Sequence, residues 1–403
     1  MCNIIILFYM DPIRNPYAPG AGTPPPELAG RDAIREKVHI ALERTKLGRA
    51  TKSVLLVGLR GVGKTVLLDQ ILKDAKKSRI EPMRIEAPED RSLPAILAPQ
   101  LRLALLNLSR VEAAKDFALR GLRGLAGFAK ALKVTFNDIE VGFDFDPEPG
   151  LADNGDLEHD LQTLLGVVGE AAAKARTVLG IFIDEMQYIK ESELAALITA
   201  LHRISQLQLP VMLIGAGLPQ LPGQFGNAKS YAERLFEFTT IGPLETTDAE
   251  KALVDPALEE GVEYDPAAIN RIIELTQGYP YFLQEWGFHS WDVATSSPIS
   301  FNDIEQASRS TIASLDESFF RVRFDRLTPS EKKYLRAMAE LGPGPHRSGD
   351  ISGILGREVQ SVAPVRSALI KKGMVWSPSH GDTAFTVPMF DEFMRRVVPE
   401  VAD

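Results

Sequence analysis

The chain has 403 residues, 45% of them hydrophobic and 25% charged, enough to bury a sizeable core and to form two or three domains. A net charge of −9 excludes a protein drawn as a whole to nucleic acid by a general positive field. The single cysteine, Cys2, excludes an internal disulfide and makes a reducing compartment, the cytoplasm, the expected setting.

The apolar run from Ile4 to Tyr9 falls far short of the roughly 20 residues that span a bilayer, and it lacks a basic flank or cleavage site. No membrane role is expected, a short packed or membrane-touching strand being the alternative. Residues 1–24 read as a disordered leader in which Met10 rivals Met1 as the start. Between Glu27 and Leu47 apolar residues recur near helical spacing and predict an amphipathic helix. Ser53-Val54-Leu55-Leu56-Val57 then reads as a buried parallel strand, with a helix over 66–75. Further strands are predicted at 84–87, 178–183 and 211–214, and helices at 92–108, 157–175 and 192–205. This alternation predicts an α/β fold with a mostly parallel sheet. Residues 117–156 break the rhythm. Val134, Phe136, Ile139, Val141, Phe143 and Phe145 suggest a hairpin, and 146–156 are rich in Pro, Gly and Asp, so the segment reads as an insertion or surface loop. After Leu244 the strands cease, and helices are predicted at 248–260, 266–277, 281–294 and 301–314.

Gly58-Leu59-Arg60-Gly61-Val62-Gly63-Lys64-Thr65 matches G-x-x-x-x-G-K-[ST] in full, between a predicted strand and a predicted helix. Glycines let backbone N–H groups turn inward around phosphates, and the helix N-terminus adds its positive dipole end. Gly58, Arg60, Gly61, Val62, Gly63, Lys64, Thr65 and Val66 are therefore the candidate ATP contacts. Lys64 would neutralise the β- and γ-phosphates, and Thr65 would ligate Mg²⁺. The run Val178 to Ile183 ends in Asp184-Glu185. Asp184 is the second Mg²⁺ ligand expected, and Glu185, one residue on, is placed to polarise the attacking water as a general base. Mg²⁺-dependent ATP hydrolysis follows as the expected chemistry.

Glu27-Leu28-Ala29-Gly30-Arg31-Asp32, the P-loop, Asp184-Glu185-Met186-Gln187 and Gly278-Tyr279-Pro280 stand in an order that resembles AAA-type ATPases related to the origin-recognition proteins and the STAND signalling ATPases. The resemblance extends from about Pro24 to near the C-terminus. It implies that Gly30 and Arg31 lie near the adenine and that Pro280 of the G-x-P element belongs to a nucleotide-sensing lid. It also implies a trans-acting arginine just before the apolar run Ile241-Gly242-Pro243-Leu244, for which Arg234 is the candidate, a surface arginine at a helix end being the alternative. Two features depart from AAA motors: Gly215-Ala216-Gly217 offers no polar side chain after the strand at 211–214, and Pro280-Tyr281-Phe282-Leu283-Gln284 has no arginine. Both favour a switch over a processive machine.

From Leu327 on, Thr328, Pro329 and Glu331 predict a capped helix start, followed by helices at 348–355 and 361–372 and a hairpin over 374–387. That order is that of a winged helix. Residues 320–403 hold 13 Lys/Arg against 10 Asp/Glu, so any double-stranded DNA contact is expected here, through Arg357, Gln360, Ser361, Arg366, Lys371 and Lys372. The domains expected are a leader (1–24), a P-loop NTPase core (25–246), a helical lid (247–319) and the winged helix (320–403). The leading function is an ATP-gated, DNA-associated switch. A signalling scaffold whose winged helix docks protein, ATP-dependent self-association, and a transposition-helper or replication-loader ATPase are the alternatives.

Overall fold

A computed structural model of the chain describes residues 10–20, 22–87, 91–136, 139–140 and 145–398. They fall into two compact units. One comprises Arg31–Gly58 and Lys64–Thr240; the other takes in the described part of residues 1–30, the turn Leu59–Gly63 and the chain from Ile241 on.

In the first unit the chain runs α1 (Asp32–Lys46), β1 (Ser53–Val57), α2 (Lys64–Lys77), β2 (Glu81–Glu86), α3 (Leu93–Leu108), α4 (Lys115–Ala131), β3 (Thr135–Phe136), β4 (Ile139–Glu140), α5 (Leu157–Lys174), β5 (Leu179–Asp184), α6 (Glu191–Gln206), β6 (Val211–Gly217), α7 (Leu221–Ala228), α8 (Ala232–Leu235) and β7 (Phe236–Thr240). Five strands form a parallel sheet in the order β2-β5-β6-β1-β7. Every residue of β5 and β6 is buried, as a strand covered on both faces demands, which is why both read as unbroken apolar runs. Parallel pairing puts the carboxyl ends of β1 and β5 on one edge of the sheet with β6 between them, the edge where open α/β sheets bind ligands.

One expectation needs correction here. Residues 115–131, inside the segment read as an insertion or loop, form the helix α4, whose Ala118, Leu122, Leu125 and Phe128 sit in the sheet's core. Its glycines let it pack closely: a Cβ on Gly121 would come within 2.6 Å of Leu105. The expected hairpin is present as the antiparallel pair β3 and β4, and Val141 and Phe143 lie outside the described residues. The edge strand β7 was not predicted, because Glu237, Thr239 and Thr240 break its apolar pattern.

The second unit contains α9 (Thr246–Glu259), α10 (Pro266–Thr276), α11 (Pro280–Val293), α12 (Phe301–Ser314), a π-helical turn (Leu315–Phe320), α13 (Arg321–Phe324), α14 (Pro329–Glu340), β8 (His346–Arg347), α15 (Ser348–Ile354), α16 (Val359–Lys371), β9 (Val375–Trp376), β10 (Asp382–Phe385) and α17 (Phe390–Val397). The last strands form an antiparallel sheet, β8-β10-β9. α14 begins with the expected capping box: Glu331 N–H donates to the Thr328 hydroxyl at 3.4 Å, and Thr328 N–H to the Glu331 carboxylate at 2.7 Å.

The leader is not disordered throughout. Residues 10–18 lie on α9 and α11, where the buried Tyr17 hydroxyl donates to the Leu253 carbonyl at 2.5 Å and accepts from Tyr264 at 2.9 Å. Trp291 Nε1–H donates to the Asp11 carbonyl at 3.0 Å. Only glycine fits at 287, since a Cβ there would stand 2.6 Å from the Tyr17 ring. Residues 1–9 lie outside the described residues. Among the described residues no helix is long and apolar enough to cross a membrane.

Candidate nucleotide site

β1 ends in the turn Gly58–Gly63, and α2 begins at Lys64. Gly61 and Gly63 have φ of +81° and +84°, a region costly to any residue with a Cβ. A Cβ on Gly63 would meet nothing within 4 Å, so the turn is open on that side. Its outer side is engaged: Tyr281 N–H donates to the Gly61 carbonyl at 3.2 Å, and Arg60 N–H to the Thr386 carbonyl at 3.1 Å. Pro280, expected near the nucleotide, starts α11 immediately before Tyr281.

The Lys64 side chain is largely buried at the first position of α2, and the next residue, Thr65, hydrogen-bonds the Asp184 carboxylate. Asp184 closes β5 at 2% exposure. Burial pushes its carboxyl above the ordinary range, as does the charge of Glu185; the Thr65 hydroxyl, Arg84 and the Glu185 amide pull the other way. A buried carboxylate and a hydroxyl in mutual reach are hard oxygen donors of the kind Mg²⁺ takes together with water and phosphate oxygens, so the residues fit that ion.

Glu185 has φ +53°, left-handed for a residue with a side chain, at a cost on the order of 1–3 kcal/mol that the surroundings must impose. They do so through hydrogen bonds: Glu185 N–H donates to Asp184 Oδ1 at 2.9 Å, and Tyr188 N–H to the Glu185 carbonyl at 3.1 Å. Gln187 Nε2 donates to the Glu185 carboxylate. At the end of β6 the two glycines allow close packing: a Cβ on Gly215 would fall 2.2 Å from Met186 Sδ, and one on Gly217 would stand 3.0 Å from Gln187 Oε1.

Sequence reasoning missed two residues of this site. Arg84, on β2, ion-pairs with Asp69 at 2.6 Å and with Asp184 at 3.3 Å. Nothing local in the sequence marks it; only strand order brings it to Asp184. Gln187 stands within the Asp-Glu-Met-Gln string, which was its available signal.

The remaining candidates lie elsewhere. Gly30 takes φ +69°, and a Cβ there would stand 2.5 Å from Asp248 Oδ2. Arg31 is buried at the entry of α1, and its carbonyl accepts from Ile34 and Arg35. Arg234 is at the amino edge of the sheet, where it lines a cavity of about 280 Å³ with Arg49, Lys52, Ser205 and Gln208, at the opposite end of the strands from Asp184. Arg366 donates to Thr383 at 2.7 Å and to Ser377 and the Asp382 carbonyl at 2.8 Å. Lys372 bonds Glu331 at 2.7 Å and the Arg326 carbonyl at 3.0 Å. Arg357, Gln360 and Lys371 are exposed.

Residues 27–214 match the AAA ATPase domain, and residues 317–394 match a domain of unknown function, DUF8462. Among solved structures, a Walker-type ATPase of Pyrococcus abyssi is similar over 93% of this chain and 97% of its own, at 17% identity and a TM-score of 0.58. The Aeropyrum pernix ORC1 protein, solved in complex with DNA, covers 93% and 94%, at 17% identity and a TM-score of 0.47. No curated protein matches this chain. The sheet unit is thus built as an AAA-type P-loop ATPase domain.

Proposed function

We propose that this protein is a Mg²⁺-dependent ATPase working in the cytoplasm as an ATP-gated switch, with a winged helix at its C-terminus that contacts duplex DNA. The observation that carries the reading is the convergence at one sheet edge: Thr65 hydrogen-bonded to the buried Asp184, with Glu185 next in the chain. Inward amides of the turn and the Lys64 ammonium would take the β- and γ-phosphates. Thr65 and Asp184 would hold Mg²⁺, whose chemistry there is to neutralise charge on the phosphate oxygens. Glu185 accepts the proton of a water whose oxygen attacks the γ-phosphorus. The bond from that phosphorus to the bridging oxygen breaks, and ADP and phosphate leave.

The switch is supported by the outer face of the turn. Its Gly61 carbonyl and Arg60 amide are bonded to Tyr281 and Thr386, so any change that nucleotide makes in the turn is felt at α11 and beside β10. The order helix, strand, helix, helix, hairpin over 329–385 supports the winged-helix reading. A second reading, in which the module docks protein, is favoured by the internal use of Arg366 and Lys372, which leaves fewer cations for phosphate. Sizing and DNA-binding assays run in parallel with ADP and with a non-hydrolysable ATP analogue test the reading. Salt-sensitive DNA retention that differs between nucleotides is the expected result. Retention indifferent to salt or nucleotide would refute the DNA-associated switch, and nucleotide-dependent growth in size would mark self-association.

A further inference from the structure

We propose that Gln187 is the positioning residue of the Glu185 carboxylate, tying it to the turn after β6 in place of the polar side chain that residues 215–217 lack. This rests on the reading of Glu185 as the base. Gln187 is 8% exposed, and its polar atoms are bound within the same unit. Its Oε1 accepts from Leu218 N–H at 3.1 Å, its Nε2 donates to a Glu185 carboxylate oxygen, and its backbone carbonyl accepts from Gln224 Nε2 at 3.3 Å.

These partners fix the orientation of the amide by chemistry alone. A backbone N–H can only donate, so the oxygen of Gln187 must face Leu218. A carboxylate can only accept, so the NH₂ must face Glu185. The backbone of Glu185 is already pinned at φ +53° by bonds on both sides, which sets the direction of its Cα–Cβ bond. The bond from Gln187 Nε2 then restrains the rotation of the side chain.

The anchor matters as much as the donor. Leu218 is the first residue beyond β6 and is 1% exposed, and a Cβ on Gly217 would stand 3.0 Å from Gln187 Oε1. No side chain at 217 would fit between the two without displacing the amide. The glycine and the glutamine are therefore one device: the strand end gives up a side chain so that an amide from the β5 end reaches its backbone. Misplacing a catalytic group by about 1 Å is worth on the order of 10²-fold in rate, which sets the effect expected here.

Two variants separate this from a structural role at the β6 end. Gln187→Glu keeps an acceptor for Leu218 N–H but loses the donor to Glu185; Gln187→Met keeps the volume and loses both bonds. Both should lower kcat by about 10- to 100-fold with ATP affinity within a few-fold of wild type. Protection of the Leu218 amide from exchange, read by NMR, should survive in Gln187→Glu and vanish in Gln187→Met. Placed on a Glu185→Gln background, either variant should cost nothing more in turnover, because Gln187 acts through Glu185. Turnover of Gln187→Glu within twofold of wild type, or a further loss on that background, overturns the proposal while leaving the ATPase reading intact. Absence of turnover in the wild type overturns the reading itself and this inference with it.

Discussion

Two regions of this chain carry basic residues that the sequence marks for phosphate, and the structure treats them in opposite ways. In the turn before α2, Lys64 takes the first helical position beside two glycines whose φ values only that residue type accepts readily, and its neighbour Thr65 meets Asp184 from 119 positions away. In α16 and its flanks, Arg366 and Lys372 are bonded to the hairpin and to α14, while Arg357, Gln360 and Lys371 stay exposed. A phosphate-binding turn is defined by backbone geometry that its own glycines impose. A cation on a helix is defined by whatever the fold brings next to it.

The comparison breaks first if the turn is not a phosphate site. Lys64→Ala should reduce ATP affinity by about 30- to 150-fold, since losing a charge-assisted contact of this kind costs roughly 2–3 kcal/mol. Nucleotide titration of the purified variant checks this, and unchanged affinity ends the reading. Glu185→Gln should instead keep ATP bound and lower its hydrolysis by about 10²- to 10⁴-fold, the usual worth of a general base. Turnover within a few-fold of wild type would mean that another group takes the proton.

How much was legible follows the same division. The buried strands β1, β5 and β6 announced themselves as unbroken apolar runs, and the motif residues fell on their ends as expected. The edge strand β7 did not, because half-exposed positions such as Glu237 and Thr239 carry no pattern that distinguishes strand from loop. α4 hid behind its glycines, which lower helix propensity yet are what let it pack against Leu105. Arg84 and Gln187 act through contacts that strand order and a single tight turn create, and neither spacing nor composition reveals such contacts. The binding of residues 10–18 was missed because a Pro- and Gly-rich stretch looks disordered until Tyr17 and Asn15 are seen with partners.

Within the C-terminal region, the exposed and the bonded cations should respond differently. Arg366→Ala removes three hydrogen bonds that hold α16 to the β9–β10 hairpin, so it should destabilise the protein by roughly 1–3 kcal/mol in a thermal melt. Arg357→Ala with Lys371→Ala should leave the melt unchanged and, if duplex DNA is bound, make the log–log salt dependence shallower by about two units. A salt slope that moves with Arg366 but not with Arg357 and Lys371 would reverse the assignment.

The smallest effect belongs to Lys372→Ala, and its pH dependence identifies its cause. Burial alone would raise the Glu331 carboxyl, but the Lys372 ammonium and the Thr328 amide and hydroxyl more than offset it, leaving the group below its ordinary range. A carboxyl lowered in the folded state adds stability at pH above its unfolded value of about 4.3 and loses it as pH falls through the folded value. Lys372 is 38% exposed at the side chain, so solvent screens its share to roughly 0.5–1 kcal/mol at neutral pH. The gap in melting temperature between wild type and Lys372→Ala should therefore be present at pH 7, shrink with added salt, and close as the pH falls through the lowered folded-state value of the Glu331 carboxyl. A gap of the same size at every pH would assign the loss to the bond between Lys372 and the Arg326 carbonyl, which does not titrate, and would return Glu331 to the role of a helix cap alone.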